Sequence, residues 1–416
     1  MTPNFFSSTE PMDKKIIVVG GGAAGVFAAS AAAAQGAAVT ILEKTARVLD
    51  KVRISGGGRC NVTHACFDPR DFSTRYPRGE RALLSPFSKF SARDTVAWFA
   101  ARGVELKTEA DGRMFPTTNS SATIVNCLMD AAQNAGVQFR LNCAAELAAT
   151  TADGKFELTL SGGEKIFCDK LLLATGGCRA AAAGQLAASL GHTIETPVPS
   201  LFTFQIAAPW LRPLAGVSLA AAEVAVPATK LRERGPLLVT HWGLSGPAIL
   251  KMSAWGARAL HDLNYQFPLL VNWLPEFSAE KISAEFQARR ASCGAKLVVN
   301  VPLFPLTARL WEQLVLAAGL PRETRWAALT RTQMQALEQQ LTRTEFSVTG
   351  KSLNKDEFVT CGGVKLSEVD FKTMQSKVCP GLFFAGELLD IDGITGGFNF
   401  QAAWTTGFIA GNAMTA

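Results

Sequence analysis

The chain has 416 residues, 48% hydrophobic and 18% charged. That composition excludes a disordered or fibrous protein and allows roughly two or three cores. The formal charge of +6 is gathered rather than spread: residues 47–93 hold ten Lys/Arg against four Asp/Glu, and residues 196–345 hold fifteen against ten. Such segments suit a polyanion or phosphorylated small molecules, although ordinary surface decoration gives the same count.

Residues 1–13 carry Pro3 and Pro11 and lack a basic start followed by an apolar core, so no signal peptide is expected, and Met12 can serve as an alternative start. Residues 14–19 predict a strand. It leads into Gly20-Gly21-Gly22-Ala23-Ala24-Gly25 and an alanine-rich helix, the strand, G-x-G-x-x-G, helix order of a dinucleotide site. Gly20 permits the turn, Gly22 lets the backbone approach a pyrophosphate, Gly25 allows close packing, and the helix opening at Ala23 and Ala24 offers free N–H groups to the anion. The apolar stretch 23–39 is broken by Gln35 and Gly36 and falls short of a membrane span.

A second strand over 38–42 ends at Glu43, followed by Lys44. A carboxylate there accepts hydrogen bonds from ribose hydroxyls and disfavours a 2′-phosphate. A helix terminus contributes only about 0.3–1 kcal/mol, whereas nanomolar retention needs about 12 kcal/mol, so further backbone-exposing segments are required. Residues 51–64, KVRISGGGRCNVTH, supply Lys51, Gly57, Gly58, Arg59 and Asn61 in a loop able to wrap phosphates or a flavin edge. Residues 171–177 read as a buried strand ending at Ala174-Thr175-Gly176. Residues 381–397, GLFFAGELLDIDGITGG, add Gly386, Glu387 and Asp390 for the ribityl chain or pyrophosphate, and Gly396-Gly397 before a helix from Asn399 whose N-terminus stabilises negative charge on reduced flavin.

These segments resemble the BaiN/RdsA family of flavoproteins, also described as aminoacetone-oxidase-like. The likeness extends to residues 112–116 (GRMFP), 240–247 (THWGLSGP), 360–364 (TCGGV) and 373–377 (TMQSK). His64 stands where asparagine is frequent in that family, and Cys361 lies at a variable position. The resemblance implies FAD as cofactor in an α/β protein: a Rossmann-type, glutathione-reductase-like FAD-binding domain with an inserted antiparallel β-barrel and a small helical subdomain.

The middle of the chain is consistent with such an insert. Short apolar or alternating runs at 201–207, 217–226, 237–240 and 267–273 predict an antiparallel unit, and 277–292, 306–318 and 332–342 predict helices. The expected division is 14–195 with 345–416 for the FAD domain and 196–344 for the insert, split into a barrel to about 275 and helices from about 276. Residues 346–353 are expected to lead the chain back to the cofactor fold.

No second G-x-G-x-x-G follows a strand, so NAD(P)H is expected only as a transient reductant. Gly243-Leu244-Ser245-Gly246-Pro247 has proline where a nucleophile elbow needs glycine. The four histidines and nine cysteines show no metal-ligand spacing, no C-x-x-C occurs, and reduced thiols in a cytoplasm are expected. His64 and His241 are candidate proton donors near a flavin, or structural hydrogen-bonders. Cys60, beside Arg59, is a candidate thiol of lowered pKa, or a small packed side chain. Arg59 and Arg113 are candidates for phosphate or flavin contact, or for surface salt bridges.

The resemblance further implies reduction of a conjugated C=C bond, with uracil in large-subunit ribosomal RNA as the leading substrate and the basic insert as the RNA contact. A small-molecule flavoenzyme of the same fold, enone reductase or amine oxidase, and a flavin-dependent RNA-binding factor stand as alternatives.

Overall fold

The computed structural model describes residues 14–178, 181–352 and 359–416; the leader 1–13 with Met12, and position 353 of the expected returning strand, lie outside them. The chain divides into two compact units, one running to Val198 and resuming at Val359, the other made from the residues between.

The first unit is built on strand β1 (Lys15–Val19), whose apolar residues are buried because it is the central strand. It pairs in parallel with β2 (Ala38–Leu42) and β4 (Lys170–Leu173). The parallel order is completed by β3 (Gln138–Arg140) outside β2 and β5 (Leu382–Phe384) outside β4. Short antiparallel strands Gln375–Ser376 and Val369–Asp370 extend that last edge. A three-stranded meander, Ala145–Thr150, Phe156–Leu160 and Lys165–Cys168, makes the connection from β3 to β4.

Helix α1 (Ala23–Ala33) follows β1, and α2 (Phe398–Thr415) follows β5. Both are buried nearly all round, which removes the usual amphipathic pattern. Their approach needs missing side chains: a Cβ on Gly407 would stand 2.6 Å from Ala24 O, and one on Gly411 2.4 Å from Ala28 O. A small sheet, Thr63–His64 with Arg113–Pro116 and Leu106–Thr108, lines up Thr63 with Met114 and His64 with Arg113. Strands Ile194–Ser200 and Val359–Val364 pair where the chain leaves and rejoins.

The second unit is a closed antiparallel barrel in the order Thr203–Ile206, Gly243–Ser245, Arg232–Thr240, Ser218–Ala225, Phe267–Asn272, Thr344–Ser352. The last strand corrects an expectation. Residues 345–352 do not belong to the flavin domain; they close the barrel, with Phe267 opposite Val348 and Thr203 opposite Ser352. The helices Ala279–Cys293, Ala308–Ala317 and Arg331–Thr342 connect the fifth and sixth strands instead of following a finished barrel. One apolar cluster runs from Phe204, Val224 and Leu269 in the barrel to Trp311, Trp326 and Leu337 among the helices, so both parts share a core.

Candidate cofactor and active site

The turn after β1 is a backbone construction. Gly20, at φ +111°, donates its N–H to Leu42 O at 2.8 Å, and a Cβ there would lie 2.3 Å from Ala174 O. A Cβ on Gly25 would lie 2.0 Å from Gly20 O. Gly22 is the contrasting position: a Cβ would meet nothing within 4 Å, and α1 has no side-chain cap. The first turn of α1, at Ala23 and Ala24, thus starts without a side-chain cap beside that open position, and Ala24 Cβ touches the position a Gly386 side chain would take, at 2.8 Å. Glu43 is fixed from both sides, accepting Gly21 N–H at 2.8 Å and the N–H and hydroxyl of Thr45 at 2.9 Å each. Lys44 is exposed beside it.

A second rim comes from residues 55–61. After a helical turn the backbone reverses at Gly56, Gly57 and Gly58 (φ +58°, +68° and +82°) and again at Cys60 (φ +60°). Cβ atoms on Gly57 and Gly58 would meet nothing within 4 Å. Arg59 is turned aside: its Nη1 donates to Glu109 Oε1 at 2.6 Å, and its guanidinium lies 4.0 Å over the Phe115 ring. Arg113 reaches the other oxygen of Glu109 at 3.1 Å and Asp111 at 2.7 Å. The lowering of the Cys60 pKa expected from Arg59 does not occur. Burial pushes that thiol up to about 12, against a smaller opposite effect of a Ser55 hydrogen bond, so it keeps its proton at neutral pH.

The loop is then tied to the start of α2. With its amide turned to satisfy both contacts, Asn61 donates to Thr63 O at 3.1 Å and accepts Gly397 N–H at 3.0 Å. Thr63 donates to Gln401 Oε1 at 2.7 Å, and Trp404 donates to Val62 O at 3.0 Å. His64 stacks on Phe398 with centroids 4.9 Å apart, and its Nε2 lies 3.1 Å from Asp111 O. A carbonyl only accepts, so Nε2 carries the hydrogen there. Gly396 and Gly397, at φ +132° and +92°, leave α2 without a side-chain cap.

The third rim joins the β4 and β5 ends. Ala174 N–H donates to Val19 O at 2.9 Å, and Gly176 has φ +77° with nothing within 4 Å of a Cβ position. Glu387 accepts Lys51 Nζ at 2.7 Å and Thr360 N–H at 3.0 Å, while Asp390 accepts Gly362 N–H at 2.8 Å. Asn399 closes on Gly393 in both directions, at 2.8 and 2.9 Å. Open glycine backbones on three chain segments, and an uncapped helix N-terminus, are the kind of groups that can hold a dinucleotide diphosphate. His241 lies on the exposed turn between two barrel strands of the second unit.

A profile of the HI0933-like protein Rossmann domain matches residues 14–413. The chain belongs to this HI0933-like family. One relative, the ribosomal RNA dihydrouridine synthase of Escherichia coli, is 30% identical over 382 residues, covering 89% of this chain and 90% of that protein. Another, the 3-dehydro-bile acid delta(4,6)-reductase of Clostridium scindens, is 28% identical over 91% of this chain and 92% of its own length. The 3-ketosteroid-delta4-(5alpha)-dehydrogenase of Rhodococcus jostii aligns over the full length of both chains with a TM-score of 0.52 at 15% identity, a likeness of fold.

The HI0933-like chain is thus an FAD-dependent oxidoreductase with a Rossmann-type domain and an inserted barrel. Among the described residues no helix is long and apolar enough to cross a membrane, and no group of three or more His, Cys, Asp or Glu is placed to hold a metal. Sequence reasoning missed Glu109, which organises both arginines, and the pair of the half-buried Arg78 with the buried Asp392 that joins residue 78 to the loop before α2. An aspartate inside the apolar run Ile391-Asp392-Gly393 was the available signal for the second. Glu109 offers none, because its partner Arg59 is 50 residues away.

Proposed function

We propose that this HI0933-like protein reduces a conjugated carbon–carbon double bond, with uracil in large-subunit ribosomal RNA as substrate, NAD(P)H as transient reductant and the cytoplasm as its compartment. One observation carries the reading: two relatives matching about nine-tenths of the chain have names for different substrates but for one kind of change. Dihydrouridine is uridine with its ring double bond saturated, and a delta(4,6)-reductase likewise saturates a double bond. The basic composition of residues 196–345 favours RNA over the steroid-like substrate.

FAD, when bound, supplies the hydride. The chain's part is to hold and orient. The α1 N-terminus with Gly22 and Ala24 takes the diphosphate, Glu43 the ribose, and the loops with Lys44, Lys51, Gly57, Gly58, Asn61, Ala174, Thr175, Gly176, Gly386, Glu387 and Asp390 surround the rest. The α2 N-terminus at Gly397 would stabilise negative charge on a reduced flavin held there. His64, held between Phe398 and Asp111 O, is the proposed proton donor of the loop, with His241 as the candidate from the barrel. Cys60, neutral and buried, packs there and does not act as a nucleophile.

The test is mass-spectrometric quantification of dihydrouridine in large-subunit ribosomal RNA from a strain lacking the gene, its parent and a complemented strain. Loss with restoration is expected. An unchanged level in RNA that carries the modification overturns the substrate and leaves the second reading, an enone of the bile-acid kind, which the 28% identical relative favours. Anaerobic mixing of the reduced protein with enones then reads reoxidation of the flavin directly.

A further inference from the structure

The helical part of the second unit gathers cations that the cofactor cradle does not use. Helix Ala279–Cys293 ends with Arg289 and Arg290, where the helix dipole favours positive charge. The chain then turns through Gly294 and is stitched to the segment before Trp326. Leu297 bridges to Arg325, Trp326 N–H donates to Lys296 O at 3.1 Å, and Arg325 Nη1 donates to Ala295 O at 2.8 Å. This stitching sets Lys296 and Arg325, both exposed, beside the end of the helix.

Some cations of the unit are neutralised by carboxylates, and others, here as elsewhere in it, are not. Arg232, Arg234 and Arg322 each pair with a glutamate (Glu223, Glu276 and Glu312). Arg289 pairs with Glu285 at 2.8 Å. Among the described residues, Arg290, Lys296 and Arg325 have no carboxylate at ion-pair distance. The partly exposed Cys293 between them feels the same field: a Ser292 hydrogen bond, Arg289 and Lys296 hold its thiol below the usual value.

We propose that Arg290, Lys296 and Arg325, with Arg289 behind them, form an RNA-backbone contact surface, an inference that rests on the RNA reading above. Arg290 stands in the last turn of the helix, and Lys296 and Arg325 stand on two segments stitched together by backbone hydrogen bonds. A polymer with regularly spaced charges can engage all of them, where a small anion meets one or two. Contacts of this kind position RNA without reading its sequence.

The experiment measures binding of a large-subunit ribosomal RNA fragment to the FAD-loaded full chain at several salt concentrations. Each phosphate contact contributes about 0.7–0.9 to the slope of log affinity against log salt. Replacing Arg290, Lys296 and Arg325 by glutamine is expected to lower that slope by about two and to weaken binding on the order of 10- to 100-fold at 0.1 M salt. Flavin content stays at the wild-type value. Because Arg325 also braces the loop, Arg290→Gln/Lys296→Gln serves if the triple variant does not fold. In the wild type, RNA slows alkylation of Cys293 by iodoacetamide, read by peptide mass spectrometry.

An unchanged slope, or Cys293 alkylated equally fast with RNA present, overturns the surface even if the deletion strain lacks dihydrouridine. Equal competition by polyglutamate overturns RNA as its partner. A lowered slope establishes the surface whichever base, or none, is reduced.

Discussion

Gly22 precedes α1 and Gly25 lies in its first turn, and a side chain meets opposite conditions at each. At Gly22 the backbone is extended and a Cβ finds open space. Gly22→Val is therefore expected to emerge colourless and to melt like the flavin-free wild type, because the valine occupies the volume the diphosphate needs. At Gly25 a Cβ would stand 2.0 Å from Gly20 O, so Gly25→Val is expected to cost about 1–3 kcal/mol of stability or more through backbone displacement. Flavin absorbance beside thermal melts checks both; a yellow Gly22→Val protein would mean that the diphosphate lies elsewhere. These roles were legible in the sequence because strand, turn and helix are contiguous, and spacing alone sets which glycine faces what. Arg59 was not legible in the same way. Whether a guanidinium in a glycine loop meets a phosphate or a carboxylate depends on a hairpin 50 residues on, where Glu109 and Phe115 take it.

Elements were legible where a segment carries its own period, and less so where a partner decides. The helices expected at 277–292, 306–318 and 332–342 fall at Ala279–Cys293, Ala308–Ala317 and Arg331–Thr342, each begun by a Ser or Thr cap. The strand Thr344–Ser352 looks the same from the sequence whether it joins a parallel sheet or closes a barrel; its neighbour, Thr203–Ile206, lies far back in the chain. Another long-range joint is testable by pH. His192 is buried, with Nε2 at 2.8 Å from Ser376 Oγ and Nδ1 at 3.1 Å from Glu368. Burial holds its pKa below 6.5, outweighing Glu368, which acts in the opposite sense. The unfolded chain therefore takes up this proton first as pH falls past about 6.5, and the folded state loses stability toward acid. The Glu368 carboxyl, held low by its bonds to Thr193 and by His192 against the cost of burial, adds stability above its unfolded value that is lost as pH drops through its folded one. Both act in one direction. His192→Gln should melt lower at pH 7.5 but fall less between pH 7.5 and 5.5 than the wild type; equal falls would remove His192 as the titrating group.

At the scale of the whole molecule, the second unit leaves and returns through neighbouring strands: Thr203 stands opposite Ser352, and Ile194–Ser200 pairs with Val359–Val364. With its own apolar cluster, residues 199–358 expressed alone are expected to unfold cooperatively with a circular dichroism spectrum that carries both helix and strand. The remainder, joined by a short Gly-Ser linker, should still bind FAD. An unfolded excised piece would show that its core depends on the flanking domain.

The packing of α2 on α1, glycine against alanine, sets an order of events during synthesis. When Gly22 and its helix have left the ribosome, the helix that seals them is still unmade, as are Gly386, Glu387 and Gly397. The intervening unit must be translated first, roughly ten to thirty seconds of work at 5–20 residues per second. The barrel can close only when its last strand, Thr344–Ser352, has emerged near the end of that interval, and meanwhile the first strands wait with an apolar face uncovered. Flavin capture is therefore an event of the finished chain, and the nascent first half is the species that a chaperone would meet.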